Sequence, residues 1–317
     1  MTDEPTAFAA SQGHEDDLML PFKLEQADIR GRLLRLGPAI DKVLSAHDYP
    51  DAVARLLGEA MILSATIAGT FKFDGRFVLQ ASTKGPVSLL IADFTTNGNL
   101  RGYARYDAEA VAKAEEEMLI SAPVPRLLGT GHLAFTVDQG EDMENYQGIV
   151  ALEGATLADC AHEYLRQSEQ LSAAVRVEVD RAGDAPNAPW RGGAIMLEKL
   201  AGAPAEGRTE EDAEDGWRDA LALLGSVKKT EMLDVDLAGG ALLYRLFHED
   251  GVRVYDAHEL QAKCRCSKQR METVLESFTT DDLQSMTVDG LITVTCEFCN
   301  SAFDFKPDQF AAYKADT

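Results

Sequence analysis

The clearest hydrophobic pattern in the chain covers residues 51–70, where apolar side chains recur every three or four positions. Val53, Leu57 and Met61 fall on one side of a helix with this spacing, which predicts an amphipathic helix lying on a sheet. The longest apolar run of the chain, residues 60–71, has about a dozen residues, whereas a membrane span needs roughly 20. We therefore expect a buried helix rather than a membrane segment.

Short runs of β-forming residues separated by turn signals follow this helix. Asp74-Gly75 interrupts "FKFDGRFVLQ", and Asn97-Gly98 separates "GPVSLLIADF" from "NLRGYARY". Both dipeptides favour the tight turns of β-hairpins. Further strand-like runs are "GHLAFTVDQ", "YQGIVAL", "AAVRVEVDR" and "GGAIMLEKL". Connections this short cannot make the crossover that parallel pairing requires, so we expect an antiparallel sheet.

A second helix is predicted in "TLADCAHEYLRQSEQL", with Thr156 as a candidate N-cap and Leu157 and Tyr164 on the apolar side. Cys160 lies on the same side, and we expect it to be a small buried hydrophobe rather than a reactive thiol. These elements predict the α+β class: an N-terminal domain with an antiparallel β-sheet and packed helices.

The composition changes sharply after residue 200. The stretch "AGAPAEGRTEEDAEDG" holds six acidic residues and one basic residue, which is typical of a linker. "GWRDALALLGSV" and "GGALLYRLFHEDG" follow it, and their apolar stripes predict two short amphipathic helices. Isolated helices of this length are marginal in water, so these helices need a surface on which to lie.

The chain is strongly acidic, with 30 Lys and Arg against 53 Asp and Glu and a net charge of −23. This charge repels phosphate backbones and anionic lipids, so nucleic acid and membranes are poor partners. The first residues carry acids where a secretory signal carries bases, which predicts a disordered leader. We therefore expect a cytoplasmic protein whose thiols stay reduced.

Four of the five cysteines form two close pairs, Cys264 with Cys266 and Cys296 with Cys299. A CxC and a CxxC pair, with 29 residues between them, predict a tetrahedral four-cysteine site for one Zn²⁺ per chain. A helix is predicted after Ser267, and "LITVT" and "SAFDF" predict a hairpin around the second pair. Such a small module has little core, so zinc would supply much of its folding free energy.

The spacing alone leaves the role of these thiols open. Each cysteine has a partner one or two residues away, so oxidation can form disulfides within the pairs. A constitutive structural site without a redox role is nevertheless the interpretation that spacing favours. Basic residues near the first pair either offset thiolate charge or form a solvated face; they are Lys263, Arg265, Lys268 and Arg270.

Two other classes of function compete with this interpretation. One is an enzyme with a purely structural zinc ribbon and an active site on the N-terminal domain, although no pairing of nucleophile and base stands out. The other is a zinc ribbon that binds nucleic acid. Residues 261–317 hold six Lys and Arg against nine Asp and Glu, so the basic surface that such a protein needs is missing.

Besides the cysteine pairs, the chain contains further distinctive motifs, which are spread along it from Asp17 onward. With them the chain resembles the 33 kDa chaperonin family of redox-regulated heat-shock chaperones. The motifs are the two cysteine pairs and "LLGEA", "KFDGRFVLQ", "GPVSLLIAD", "LRGYAR", "DQGEDMENYQGIVALEGATLADCAHEYLRQSEQL", "GGAIMLEKL" and "LLYRLFHEDGVRVYD".

The resemblance implies a holdase chaperone, not an enzyme, that is inactive while reduced and zinc-bound. It implies that peroxide with heat, or hypochlorite, joins Cys264 to Cys266 and Cys296 to Cys299, and that zinc then leaves. The C-terminal module and the linker would unfold, and the protein would form a homodimer that holds unfolding client proteins without ATP. On this basis the redox switch replaces the constitutive site as our interpretation.

The expected organisation has four parts. These are a disordered acidic leader (1–16), an α+β chaperone core domain (17–200), an acidic linker with amphipathic helices (201–260) and a four-cysteine zinc module (261–317).

Overall fold

The structure is a computed structural model, and it describes residues 16–116, 122–140, 143, 145–183, 185, 187–202 and 208–310. The predicted leader lies outside the described residues except for Asp16. The chain divides into two compact units. The larger contains the described residues up to Leu44 and from Tyr49 to Ala262, and the smaller contains residues 45–48 and the described residues from Lys263.

The described strands are, in chain order, β1 Leu18–Leu24, β2 Ile29–Leu36, β3 Arg76–Thr83, β4 Val87–Thr95, β5 Asn99–Tyr106, β6 Gly131–Asp138, β7 Tyr146–Ala151, β8 Ala173–Arg181, β9 Trp190–Lys199, β10 Val252–Val254, β11 His258–Glu259, β12 Gln261–Ala262, β13 Ile292–Thr295 and β14 Ala302–Phe305. The described α-helices are α1 Pro38–Leu44, α2 Asp51–Ala68, α3 Ala108–Glu116, α4 Leu157–Gln167, α5 Glu210–Ser226, α6 Lys229–Met232, α7 Gly239–Phe247, α8 Lys268–Leu275 and α9 Thr280–Met286. Shorter helical turns are Val124–Leu128, His248–Asp250 and Pro307–Gln309.

The larger unit contains two six-stranded sheets rather than one. The first sheet has the order β10-β1-β2-β9-β8, with β11 also paired to β1, and all its pairs are antiparallel. The second has the order β12-β5-β4-β3-β6-β7 and is antiparallel except for the short β12–β5 pair. The predicted α+β class with antiparallel pairing is therefore confirmed.

One predicted hairpin turn is wrong. Asn97-Gly98 does connect β4 to β5, and Gly98 has the positive φ of +83° that such a turn requires. Asp74-Gly75, in contrast, lies at the entrance to β3, because the residues before it are held by the core instead of pairing as a strand. Phe71 is packed against the core and stacks on Phe77 with ring centroids 5.7 Å apart.

The predicted helix at residues 51–70 is confirmed as α2, which contacts strands of both sheets. Val53, Leu57 and Met61 are fully buried there. No helix in the described part of the chain combines the length and apolarity that a membrane crossing requires.

The second predicted helix is confirmed as α4, and Thr156 is its N-cap. The Thr156 hydroxyl accepts a hydrogen bond from the amide of Asp159, whose carboxylate in turn accepts from the Thr156 amide. Cys160 is 1% exposed, and burial raises its pKa to about 11, as expected of an unreactive core thiol.

Both predicted amphipathic helices of the linker are present, and they lie on the first sheet. α5 begins at Glu210, inside the acidic run, because Thr209 caps it and acidic side chains in a first turn favour the helix dipole. The apolar faces of α5, α6 and α7 share one core with β1, β2 and β9. That core consists of Phe22, Leu24, Ala27, Ile29, Leu33, Ile195, Leu197, Ala220, Leu224, Val227, Met232, Leu237, Leu242, Leu243 and Phe247.

The smaller unit has a core of its own. The predicted helix after Ser267 is α8, with the Ser267 hydroxyl accepting from the Arg270 amide, and the predicted hairpin is formed by β13 and β14. The buried hydrophobic residues of this unit are Leu275, Leu283, Ile292, Phe305 and Phe310. Such a small cluster supplies little folding free energy by itself.

Candidate metal centre

Two backbone segments of the smaller unit carry the four cysteines of the predicted site. Cys264 and Cys266 lie in the extended segment before α8, and Cys296 and Cys299 lie in the loop of the β13–β14 hairpin. The loop is closed by hydrogen bonds from the Cys296 amide to the Ser301 carbonyl (2.9 Å) and from the Asn300 amide to the Cys296 carbonyl (2.8 Å). This closed turn places both thiols of the second pair beside those of the first.

The structure brings all four sulfur atoms together. Every Sγ lies within 4.8 Å of the other three. The closest contacts join the two pairs, since Cys264 Sγ is 3.7 Å from Cys296 Sγ and Cys266 Sγ is 3.4 Å from Cys299 Sγ. Cys296 is 7% exposed, and the other three are half-buried.

These distances agree with a tetrahedral metal site. Zinc–sulfur bonds of about 2.3 Å in a tetrahedron place neighbouring sulfurs roughly 3.8 Å apart. The sulfurs are therefore almost in position to bind one ion without rearrangement of the backbone. Among the described residues, the side chains of these four cysteines are the group whose ligand atoms lie close enough together to hold a metal ion.

The surroundings of the thiols affect their ionisation differently. Burial raises the pKa of Cys266 and of Cys296 above the usual value. Burial also opposes ionisation of Cys299, but hydrogen bonds with the Ser301 hydroxyl and amide and with the Cys266 and Cys264 thiols outweigh it and lower the pKa of Cys299 to about 7. Sequence reasoning missed Ser301, whose only signal was its position two residues after a cysteine.

The basic residues near the first pair make structural contacts. Arg270 Nη1 donates a hydrogen bond to the Arg265 carbonyl oxygen (2.9 Å), and Lys268 Nζ lies 5.4 Å from the ring centroid of Phe305. These contacts connect α8 to the cysteine segment and to the core of the unit. They favour a structural role for Arg270 and Lys268.

A further set of polar residues, buried arginines on the first sheet, was not singled out from the sequence. Arg35 on β2 is 2% exposed, and Arg191 on β9 is 7% exposed. Their signal was an arginine beside large apolar residues in a strand, as in "IRGRLLRL" and in "WRGGAIMLEK". A fully buried arginine needs acceptors, and both arginines find them in the linker.

Comparison with known proteins agrees with these features. The family model described as "Hsp33 protein" matches residues 17–306. A 33 kDa chaperonin from Caulobacter vibrioides is 43% identical over 303 residues, which is 95% of this chain and 99% of that protein. A 33 kDa chaperonin from Pseudomonas fluorescens is 35% identical over 295 residues, which is 92% of this chain and 91% of that protein.

The fold is also similar to a solved structure. The crystal structure of the 33 kDa chaperonin from Thermotoga maritima superimposes with a TM-score of 0.76, covering 95% of this chain and 100% of that one at 18% identity. The family match over nearly the whole chain, the curated relatives and this common fold agree, and the chain therefore belongs to the Hsp33 family of 33 kDa chaperonins.

Proposed function

We propose that this protein is a holdase chaperone that is switched on by oxidation of its four paired cysteines. The observation that carries the proposal is the cluster of Cys264, Cys266, Cys296 and Cys299, whose sulfurs all lie within 4.8 Å of one another. Family membership supports the chaperone part of the proposal. The thiol cluster supplies the redox part, because such sulfurs can either share a metal or become disulfides.

In the reduced state the four cysteines hold one Zn²⁺ as thiolates. The ion, when bound, supplies folding free energy, on the order of 10–16 kcal/mol in small zinc peptides. The small core of the C-terminal module makes that contribution decisive. The reduced module is folded, and the linker helices stay on the first sheet, so the chaperone is inactive.

Oxidation converts the thiols into two disulfides, Cys264–Cys266 and Cys296–Cys299. In each pair, one thiolate attacks peroxide and breaks the O–O bond, giving a sulfenic acid and releasing hydroxide. The second thiolate attacks that sulfur and displaces another hydroxide. Each pair thus loses two electrons and reduces one peroxide to two waters, once protons are taken up. The ligands are consumed, so affinity for zinc is lost.

Loss of the module's fold has consequences for the linker, which precedes the module directly in the chain. The linker helices are stable only through the core that they share with the first sheet. When they leave it, apolar surface is exposed both on them and on β1, β2 and β9. This surface binds unfolding client proteins without ATP, and two oxidised chains form a homodimer.

We assign one role to each of the three domains predicted from the sequence after the leader. Residues 17–200 form the chaperone core, 201–260 the linker and 261–317 the redox module. We assign no catalytic residues, and we place the protein in the cytoplasm, where its thiols start reduced. Its net charge of −23 disfavours nucleic acid and anionic membranes as partners.

The proposal is tested by following zinc release and client aggregation in the same sample during oxidation by peroxide at raised temperature. We expect about one zinc per chain to be released, and only the oxidised protein to suppress aggregation of a heat-unfolding client. The matched control is Cys160→Ser, which removes the buried fifth cysteine and should leave the switch intact. Equal suppression by reduced and oxidised protein would show that no switch exists.

A further inference from the structure

Three arginines of the first sheet donate hydrogen bonds to main-chain carbonyl oxygens of the linker. They are Arg35 on β2, Arg176 on β8 and Arg191 on β9, and the linker carbonyls that they contact lie within residues 225–237. The contacts are made to the backbone, which every residue possesses, and not to particular linker side chains.

Arg35 makes the densest set of these contacts. Its Nη1 lies 3.1 Å from the carbonyl oxygen of Asp234 and also donates to the carbonyl of Leu237. Its Nη2 lies 3.2 Å from the carbonyl oxygen of Glu231. One buried guanidinium thus serves one backbone carbonyl of α6 and two of the irregular segment between α6 and α7. Each of these acceptors would be costly to bury without a donor.

The other two arginines extend the row of donors along the linker. Arg191 Nε lies 3.0 Å from the Leu233 carbonyl oxygen, while its Nη1 lies 2.6 Å from an Asp16 carboxylate oxygen, which fixes the guanidinium plane. Arg176 Nη1 lies 2.9 Å from the carbonyl oxygen of Gly225, near the end of α5. That carbonyl belongs to the last turn of the helix, whose carbonyls lack helical partners.

The arginines share their face of the sheet with apolar side chains. Across the strands, Leu33 is opposite Ile195, and Ile195 is opposite Arg176. Gly193 leaves room for the linker backbone on this face. A Cβ at position 193 would lie 2.9 Å from Met232 Cγ and 3.3 Å from the Met232 carbonyl oxygen. The face therefore combines apolar surface with donors for backbone carbonyls, and it accommodates an irregular chain.

We propose that the linker occupies this face in place of a client, and that Arg35, Arg176 and Arg191 bind the main-chain carbonyls of extended, unfolding client segments once the linker has left. The inference deepens the proposed function and rests on it. A holdase must recognise many sequences, and carbonyl groups are the acceptors that all unfolded segments share. The guanidinium charges add a preference for apolar segments that are neutral or acidic over segments rich in Lys and Arg.

A synthetic peptide of residues 223–238, which contains every linker carbonyl that the three arginines contact, tests the backbone contact directly with the full-length wild-type protein after oxidation. One analogue replaces the amides after Leu233, Asp234 and Leu237 by esters, which weakens those carbonyls as acceptors. The control analogue is N-methylated at the same amides, so it also lacks the N–H groups but keeps strong carbonyl acceptors. We expect the ester analogue to bind about tenfold more weakly in fluorescence anisotropy, and the control within about twofold.

Variants of the full chain test the arginines. Arg35→Met and the less buried Arg176→Met remove donors while keeping apolar volume, and the exposed Arg166→Met on α4 is the matched control. After oxidation we expect the first two to lose at least about fivefold in peptide affinity and to suppress client aggregation less well. Arg166→Met should behave like wild type.

The outcomes separate this inference from the proposed function. If wild type neither releases zinc nor holds clients on oxidation, the proposed function fails. If wild type is activated but the ester analogue binds as tightly as the amide peptide, only the carbonyl-recognition inference is overturned. If oxidised Arg176→Met stays monomeric by light scattering and keeps full peptide affinity, the face pairs with a second copy and not with clients, which also overturns it.

Discussion

Glu59 is a partly buried acidic residue of α2, and its neighbours along this helix are mostly buried and apolar. Its carboxylate accepts a hydrogen bond from the Ala158 amide (3.0 Å) in the first turn of α4, so it joins two helices. Burial raises the pKa of Glu59 to about 7 from its usual 4.5, in spite of this hydrogen bond. Between these two pH values the folded state carries a proton that the unfolded chain has lost.

The sign of the resulting pH dependence follows from this difference in protonation. The contribution of Glu59 to stability is fully present below the unfolded pKa and is lost as pH rises through about 7. In wild type the free energy of unfolding should therefore fall between about pH 5 and about pH 8. We expect Glu59→Gln, which cannot ionise, to make this fall smaller by about 1–3 kcal/mol. Chemical denaturation at both pH values measures this. The exposed Glu211→Gln is the control, and an unchanged pH dependence in Glu59→Gln would contradict the assignment.

At the scale of elements, the linker helices depend on caps as well as on burial. Thr209 starts α5 with a capping box, in which its hydroxyl accepts from the Asp212 amide at 3.1 Å and its own amide donates to the Asp212 carboxylate at 2.8 Å. The same hydrogen bonds lower the pKa of Asp212. The helix thus begins at a definite residue even though the preceding composition is that of a linker.

Thr209→Ala should therefore loosen the linker without touching the cysteines. Loss of an N-cap costs about 1 kcal/mol, which raises the open population roughly fivefold. We expect limited proteolysis of the reduced variant to cleave the linker several times faster than in wild type. Arg218→Ala, an exposed mid-helix change in α5, serves as the control. Equal cleavage rates in Thr209→Ala and wild type would show that the cap does not limit linker opening.

For the whole molecule, the metal should hold the small unit together and leave the large one intact. The large unit has two extensive cores, whereas the described part of the small unit has one apolar cluster of five buried residues. We therefore expect the smaller unit to depend on the free energy of metal binding in order to fold, and the larger unit to fold without it.

The double variant Cys264→Ser with Cys266→Ser tests this dependence under reducing conditions. We expect it to lose tight zinc binding and to leave both the module and the linker sensitive to protease, while hydrogen exchange in α2 and the two large sheets stays as in wild type. Cys160→Ser is again the matched control. Full protease resistance of the linker in the double variant would mean that the metal does not hold it in place.

Much of the fold could be predicted from local pattern. The hydrophobic period of α2, the cap at Thr156, the helix after Ser267 and the alternation in β13 and β14 are local signals, and each appears in the structure as predicted. The error at Asp74-Gly75 has a tertiary cause, because Phe71 preceding it packs into the core. Strands β1 and β2 were not predicted, because local pattern does not say which runs pair across long sequence separations.

The sequence by itself determined the family and the antiparallel α+β class, because both follow from local motifs and turn signals. It also determined the four candidate ligands, because the identity and spacing of ligands are properties of the sequence. Tertiary structure decided which sulfurs approach each other, with Cys264 nearest Cys296 and Cys266 nearest Cys299. It also decided that Arg35 and Arg191 meet linker carbonyls some 200 and 42 residues away. Such contacts depend on how distant segments fold back on one another, because burial favours polar groups that are paired with a partner.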